Sequence, residues 1–145
     1  MYLQVTGRAG YPVLVSVAPA AGAPDAVVAA WRDMTARHAS ICAALEHELG
    51  ERHALGVSDF EVLDRLTEYP EGKCRAQDLA ESVHLSPSAL SRLVDRLIKN
   101  ALVERCACDD DRRGIYVVLT EQGRRRRAEA AVTHRDVLAR LLPAR

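Results

Sequence analysis

The sequence predicts a mainly α-helical protein with one small β-hairpin, on three observations. Apolar residues recur at three- and four-residue steps through long stretches of the 145-residue chain, which is the period of an amphipathic helix. Two β-prone runs, 102–106 and 115–119, flank a polar tip at 107–114 and indicate a hairpin. Two helical segments, 76–83 and 86–99, are separated by only two residues. Such a closely joined pair is typical of a helix-turn-helix.

Composition and charge narrow the class of protein. Apolar residues make up 48% of the chain, charged residues 28% and aromatic residues 4%, which fits one folded helical unit and argues against disorder or a membrane span. The net charge is zero, yet residues 73–127 carry 12 Lys and Arg against 8 Asp and Glu, whereas residues 1–72 carry 5 against 10. Because phosphate contacts depend on local cations, a neutral chain with one basic segment can bind nucleic acid.

The first 23 residues are expected to form an arm or one strand, because the β-prone run Val13–Val17 lies among glycine, proline and alanine. The apolar stretch 11–21 is interrupted by Pro12 and Pro19 and is preceded by one cation, Arg8, which disfavours a signal peptide. We therefore expect a cytoplasmic protein.

A long amphipathic helix is predicted from Pro24 to near Gly50. About 25 residues would span roughly 38 Å. A helix this long cannot be covered by so small a chain, so part of its apolar stripe is expected in a homodimer interface. The stripe consists of Val27, Trp31, Met34, His38, Ile41, Leu45 and Leu49.

The next helix is predicted from Asp59 to about Glu68, with Ser58 and Glu61 forming a capping box at its start. The break at 69–72 leads into the helix pair at 76–83 and 86–99. Ser86 as N-cap and Pro87 at the first helical position define the start of the second helix.

One face of that second helix is apolar and is explained by packing. The opposite face carries small and hydroxyl side chains near the helix start and arginines after them, which suits the major groove of duplex DNA. A solvated polar face in a helical bundle is the alternative. The candidate recognition residues are Ser86, Ser88, Ala89, Ser91, Arg92 and Arg96.

The hairpin at 102–119 is interpreted as a wing. Its tip carries three aspartates, which would repel phosphate, but Arg112 and Arg113 follow them and Asp111 can brace an arginine. A braced arginine is suited to the narrow minor groove. A charged, solvated hairpin is the alternative.

These segments resemble the MarR family of bacterial regulators through three blocks: Asp78–Leu97, Leu102–Arg105 and Asp111–Thr120. The resemblance covers Pro24 to about Arg140 and implies a winged helix-turn-helix with long dimerisation helices that binds a palindromic duplex operator. It implies that Arg113, braced by Asp111, enters the minor groove and that Arg112 meets backbone phosphate. It also implies a repressor released by a small aromatic ligand between the dimerisation helices and the reading domain, where Trp31, Met34 and Tyr69 are candidate lining residues.

The expected domains are an arm at 1–23, a dimerisation helix region at 24–57, the DNA-binding domain at 58–119 and a C-terminal dimerisation helix at 120–145. Relatives usually add another C-terminal helix, so the arm is a candidate for replacing its dimer contacts. At two turn positions where the family often has glycine, the chain has His84 and Ala101. Histidine tolerates a left-handed conformation, and Asn100 can supply one beside Ala101.

Two further clusters have more than one interpretation. Arg124–Arg127 can bind phosphate or form a solvated helix surface, because four successive residues point around a helix. His38, Cys42 and Glu46 share a helix face and could bind zinc, although packing explains the same spacing better, so no metal is expected.

The four cysteines are expected to be reduced thiols. Cys106 and Cys108 would be about 6.6 Å apart along a strand, which makes a disulfide between them awkward. Redox sensing through a cysteine is an alternative function, and Arg105 beside Cys106 is its only evident activating partner. The remaining thiols are Cys42 and Cys74.

No phosphate-binding glycine loop, nucleophile motif or metal-spaced histidine pair occurs in the sequence, so neither an enzyme nor a cofactor is expected. A winged-helix protein-interaction module remains a rival, because it would share the core pattern. Arg92, Arg96 and Arg113 argue against it.

Overall fold

The computed structural model describes residues 2–6, 12–16, 24–108 and 111–142. At residues 2–6, 12–16, 24, 108 and 111–113 it describes the backbone alone. The wing-tip residues Asp109 and Asp110 lie outside the described residues, as does the end of the chain from residue 143.

Two short strands come first, β1 (Tyr2–Thr6) and β2 (Pro12–Ser16). They pair antiparallel, with Tyr2 opposite Ser16 and Thr6 opposite Pro12. The β-prone run near residue 13 is therefore one arm of a hairpin, whose other arm the sequence pattern did not indicate.

A long helix, α1 (Pro24–His53), follows and runs three residues beyond the predicted end. Next comes α2 (Val57–Leu66), which begins before the predicted capping box. That prediction is wrong because other carboxylates satisfy the first amides: Asp59 Oδ2 accepts from Gly56 N, and Glu46 Oε2 accepts from Val57 N, both at 2.9 Å. Ser58 is instead an exposed residue in the first turn.

After a 3-10 turn at Pro70–Gly72, the chain forms β3 (Lys73–Arg75), α3 (Ala76–Ser82) and α4 (Pro87–Lys99). The hairpin consists of β4 (Val103–Cys108) and β5 (Asp111–Leu119). The three strands form an antiparallel sheet in the order β3-β5-β4. The sequence did not predict β3, because three residues are too few to show alternation.

The last described helix is α5 (Glu121–Leu141), capped by Thr120, whose Oγ1 accepts from Gly123 N at 2.9 Å. Its start lies against the turn after α4, since a Cβ on Gly123 would be only 2.0 Å from the Leu102 carbonyl oxygen. Only glycine fits there, because real Cβ atoms do not approach backbone so closely.

One core joins the second half of α1 to α2–α5 and the sheet. Phe60 lies at its centre, 1% exposed, and stacks on the His134 ring with centroids 4.5 Å apart. The α1–α5 contact is tied by a hydrogen bond of 2.8 Å between His53 Nε2 and Thr133 Oγ1. The predicted fold class is confirmed: the chain is a mainly helical winged helix with a three-stranded wing sheet and long N- and C-terminal helices that pack together. In the ranges described, none of the helices is apolar over enough length to cross a membrane.

Candidate nucleic-acid interface

The α3–α4 turn sets the angle at which α4 leaves the core. His84 adopts φ +56°, and Leu85 N donates to the Ala80 carbonyl at 2.9 Å. Ser86 then caps α4 as predicted, its Oγ accepting from Ala89 N at 3.2 Å, with Pro87 at the first helical position. A left-handed histidine therefore does the work that glycine usually does at such a turn.

The two faces of α4 divide as the sequence predicted. Leu90, Leu93, Val94 and Leu97 are 1–4% exposed and anchor the helix in the core. Ser86 and Ala89 are half-buried at the helix start. The opposite, exposed face carries Ser88, Ser91, Arg92, Asp95, Arg96 and Lys99. We call these six residues, with Ser86 and Ala89, the α4 face.

An ion pair from α2 holds one cation of this face. Arg96 Nη2 lies 2.6 Å from Asp59 Oδ1, and its Nε lies 3.2 Å from the same oxygen. Asp59 is buried and accepts from the start of α2 through its other oxygen. Arg96 therefore ties α4 to α2, a structural task that the sequence prediction of a DNA-contacting arginine did not include.

A second ion pair comes from the wing. Arg105, on β4, donates through Nη1 to Asp95 Oδ1 at 2.5 Å. Its Nη2 donates to the Ser91 carbonyl at 3.1 Å and to Ser91 Oγ at 3.2 Å. The sequence pattern did not predict Arg105 as a residue of this site. The sequence feature that could have indicated Arg105 is Asp95, an acidic residue on an otherwise cationic face, because such a carboxylate needs a cation nearby.

Arg92 differs from both of these arginines. It is exposed, and within the described part of the chain it makes no hydrogen bond or ion pair. Lys99, in the last turn of α4, is likewise exposed and without such a partner there. These two cations are therefore available to an anionic ligand without breaking an internal contact.

The wing places Asp111, Arg112 and Arg113 at the start of β5, with Asp111 opposite Cys108. The β4–β5 register shifts between Ala107 and Cys108, which marks an irregularity of the ladder next to the tip. The side chains of residues 111–113 lie outside the described residues, so the predicted brace of Arg113 by Asp111 stays a prediction.

The four arginines at the start of α5 do not act as one cluster. Arg126 Nη1 donates to the His53 carbonyl at 2.7 Å, and Arg127 Nε donates to Asp64 Oδ1 at 2.7 Å. These two fasten α5 to α1 and α2. Arg124 and Arg125 are exposed, with the Arg124 guanidinium lying beside Gly72.

The thiols differ in their surroundings. Burial raises the pKa of the Cys74 thiol, which disfavours its reactive thiolate form. Cys42 is half-buried, with its Sγ 3.5 Å from His38 Nε2. Cys106 is half-buried and free, while the Cys108 side chain lies outside the described residues, so a bridge between the two stays untested.

The residues proposed for a ligand pocket do not share one environment, and the residues considered for a zinc site do not form one. Trp31 and Met34 are 60% and 57% exposed, whereas Tyr69 packs against the core. Of the zinc candidates, Glu46 instead caps α2, and no three potential metal-ligating side chains group together within the described ranges.

The fold and the α4 face define a winged helix-turn-helix protein. A family model described as "MarR family" matches residues 55–115, which span α2 through the wing. The crystal structure of AbsC, a MarR family transcriptional regulator from Streptomyces coelicolor, is 31% identical, with a TM-score of 0.78 over 85% of this chain and 82% of that one. The chain belongs to the MarR family of DNA-binding transcriptional regulators, a non-enzymatic family.

Two further similarities extend this result. Sco3205, a MarR family transcriptional regulator from Streptomyces coelicolor solved in complex with DNA, is 26% identical, with a TM-score of 0.78 over 88% of this chain and 79% of that one. An uncharacterized HTH-type transcriptional regulator of Bacillus subtilis, YwhA, is 36% identical over 56 residues, which are 39% of this chain. The matched segments span only 40% and 43% of the lengths of the two curated Bacillus subtilis relatives.

Proposed function

We propose that the chain is a cytoplasmic, homodimeric regulator that binds a palindromic duplex operator through the α4 face. The observation that carries this proposal is a contrast on one exposed surface: Arg92 has no polar partner among the described residues, whereas Arg96 and Arg105 are braced by ion pairs. Two internal ion pairs fix the orientation of this polar face, which a face that contacts only solvent does not need. A fixed face with an unpaired cation suits a DNA groove.

Within this interface the residues divide by task. Ser88, Ser91 and Arg92 project from the exposed side and are proposed to contact DNA, with Ser86 and Ala89 admitting the helix start into the groove. Arg96 is proposed to orient α4 through Asp59. In the wing, Arg112 and Arg113 are proposed to reach phosphate and the minor groove, with Asp111 as the brace.

The dimer proposal rests on α1. Residues 25–40 are all exposed, and they include Val27, Val28, Trp31 and Met34, which are 44–60% exposed. Apolar side chains along an isolated helical arm favour burial against a second copy, and a two-fold dimer would present two copies of α4 to two half-sites about one helical turn apart. Repression, and release by a small aromatic ligand, are proposed from the family resemblance.

The test is binding of the purified chain to a duplex from its own upstream region, at several salt concentrations, beside random DNA. Two chains per duplex and a clear preference over random DNA are the expected result. Arg92→Ala is expected to weaken binding and to reduce the slope of log K against log salt by about one unit. Arg135→Ala, which removes an exposed cation on α5, is the matched control and should leave the slope unchanged.

Equal slopes for Arg92→Ala and the unmodified chain would contradict the role given to the α4 face. If the upstream duplex binds no better than random DNA, selection from random duplexes identifies the preferred site. Failure to select any sequence would favour the protein-interaction module instead.

A further inference from the structure

The Arg105 contacts fix more than the position of α4. The Nη1 atom of this guanidinium is held by the Asp95 carboxylate, and its Nη2 donates to both oxygens of Ser91. Three acceptors on one helix therefore fix the guanidinium from β4. The Ser91 hydroxyl lies on the exposed face of α4 beside it.

The chemistry of the hydroxyl follows from this arrangement. A serine hydroxyl has one proton to donate and two lone pairs that accept, whereas a guanidinium only donates. Arg105 therefore engages the acceptor side of Ser91 Oγ, and no acceptor in the described part of the chain takes the hydroxyl proton. Because a cation beside the oxygen polarises the O–H bond, the hydroxyl becomes a stronger donor pointing away from Arg105.

The groups next to Ser91 on the α4 face are also mainly hydrogen-bond donors. Ser86 Oγ accepts from Ala89 N and lies 3.4 Å from Ser88 Oγ, so one of these two hydroxyls donates to the other and the proton of the second is available. Arg92 carries only donors. The one carboxylate of the α4 face, Asp95, has Oδ1 occupied by Arg105. The first turns of α4 therefore present mainly hydrogen-bond donors.

We infer that Arg105 is a positioning residue that sets Ser91 as a hydrogen-bond donor toward DNA, so that this position selects an acceptor group and disfavours an amino group. The inference rests on the proposed function. In the major groove the acceptors are purine N7, guanine O6 and thymine O4, and the amino groups belong to adenine and cytosine. Phosphate oxygens are acceptors of the same chemistry on the DNA backbone.

The experiment begins with selection of the preferred operator by the full chain, followed by binding of three variants to that operator and to every single-base change of it. Ser91→Ala removes the hydroxyl, Ser91→Thr retains it, and Arg105→Lys retains the charge but cannot hold Asp95 and both Ser91 oxygens together. Ser91→Ala is expected to lose about 3- to 10-fold in affinity, the value of one hydrogen bond.

Chemical probes in the operator then locate the acceptor. If it is a base edge, 7-deazapurine or 5-methyl-2-pyrimidinone at one base pair per half-site weakens the unmodified chain and leaves Ser91→Ala unaffected. If it is a phosphate, the same pattern follows from one methylphosphonate. In either case Arg105→Lys should reproduce the loss of Ser91→Ala, the double variant should lose no more than either single one, and Ser91→Thr should retain binding.

Several results would overturn the inference while leaving the proposed function intact. These are an unchanged affinity of Ser91→Ala for the selected operator, a Ser91→Ala loss that is reproduced by removing an adenine or cytosine amino group, or independent losses for Ser91→Ala and Arg105→Lys. A chain that selects no operator at all would overturn the proposed function and this inference together.

Discussion

The recognition helix α4 and the first half of α1 both lie at the protein surface, but only α4 buries its apolar residues within the described chain. The α4 helix buries four apolar residues in the core, and ion pairs from α2 and β4 hold its polar side. Residues 25–40 of α1 are exposed throughout, apolar side chains included. The DNA-binding unit therefore satisfies its apolar and charged side chains from within one chain, whereas the apolar side chains in the first half of α1 are not covered by any described residue.

The largest effect is expected from the buried side of α4. Leu97 is 1% exposed in the core, and Leu97→Ala should lower the free energy of unfolding by about 2 to 5 kcal/mol through lost burial and a cavity. Urea unfolding measures the difference, with Lys99→Ala on the exposed face as control, expected within about 0.5 kcal/mol of the unmodified chain. A Leu97→Ala loss below 1 kcal/mol would mean that the core does not hold α4 as described.

A different readout applies to α1. Trp31 is 60% exposed, so Trp31→Ala should leave the unfolding of the monomer nearly unchanged but weaken the proposed dimer by about 2 kcal/mol, roughly 30-fold. Sedimentation equilibrium measures the dimer constant, and Arg32→Ala, also exposed, is the adjacent control. Identical dimer constants for Trp31→Ala and the unmodified chain would remove this helix face from the interface.

The next effect concerns the polar bracing of α4. Asp59→Asn keeps the shape of the side chain but removes the charge that holds Arg96, and the expected loss is about 1 to 2 kcal/mol because Arg96 is itself partly exposed. Glu68→Gln breaks the exposed Arg65–Glu68 pair, and its loss should be clearly smaller because solvent screens both charges. Equal losses in urea unfolding would show that the Asp59–Arg96 pair is an ordinary surface contact.

The sequence predicted the parts of the fold that periodicity and local chemistry determine. The amphipathic helices, the hairpin and the Ser86–Pro87 start of α4 depend on neighbours within a few residues, so their signal is local. The exposed residues of the α4 face were predictable for the same reason, because helical periodicity separates them from the buried ones. The Asp59–Arg96 and Arg105–Ser91 contacts join residues 37 and 14 positions apart, and no local pattern encodes them. The capping of α2 by Glu46 was hidden in the same way, since it depends on how α1 lies against α2.

The left-handed residue in the turn after α4 was predicted only in part. The sequence suggested Asn100 for this conformation, but Ala101 itself adopts it at φ +57°, because Leu102 N must reach the Leu97 carbonyl at 3.0 Å to close the helix end. Asn100 stays at φ −91°. The sequence therefore predicted a left-handed turn at this place, but it did not predict that Ala101 is the residue that adopts the strained conformation.

The smallest effect is expected at the helix ends, where α1 and α4 behave alike. Ala54 follows α1 at φ +53°, as Ala101 follows α4. Alanine is strained in this conformation and glycine is not, so Ala54→Gly and Ala101→Gly should each raise the free energy of unfolding by about 0.5 to 1 kcal/mol.

Ala139→Gly, at an exposed position inside α5, is the matched control and should lower the free energy of unfolding by about 1 kcal/mol. Opposite signs in urea unfolding would establish that strain at two turns, rather than glycine as such, sets the effect. A stabilising Ala101→Gly with a destabilising Ala54→Gly would show that the two helix ends differ. The difference would lie in which carbonyl is held: Thr120 Oγ1 donates to the carbonyl of Ala101 itself, whereas Arg126 Nη1 donates to the carbonyl of His53, the residue before Ala54, both at 2.7 Å.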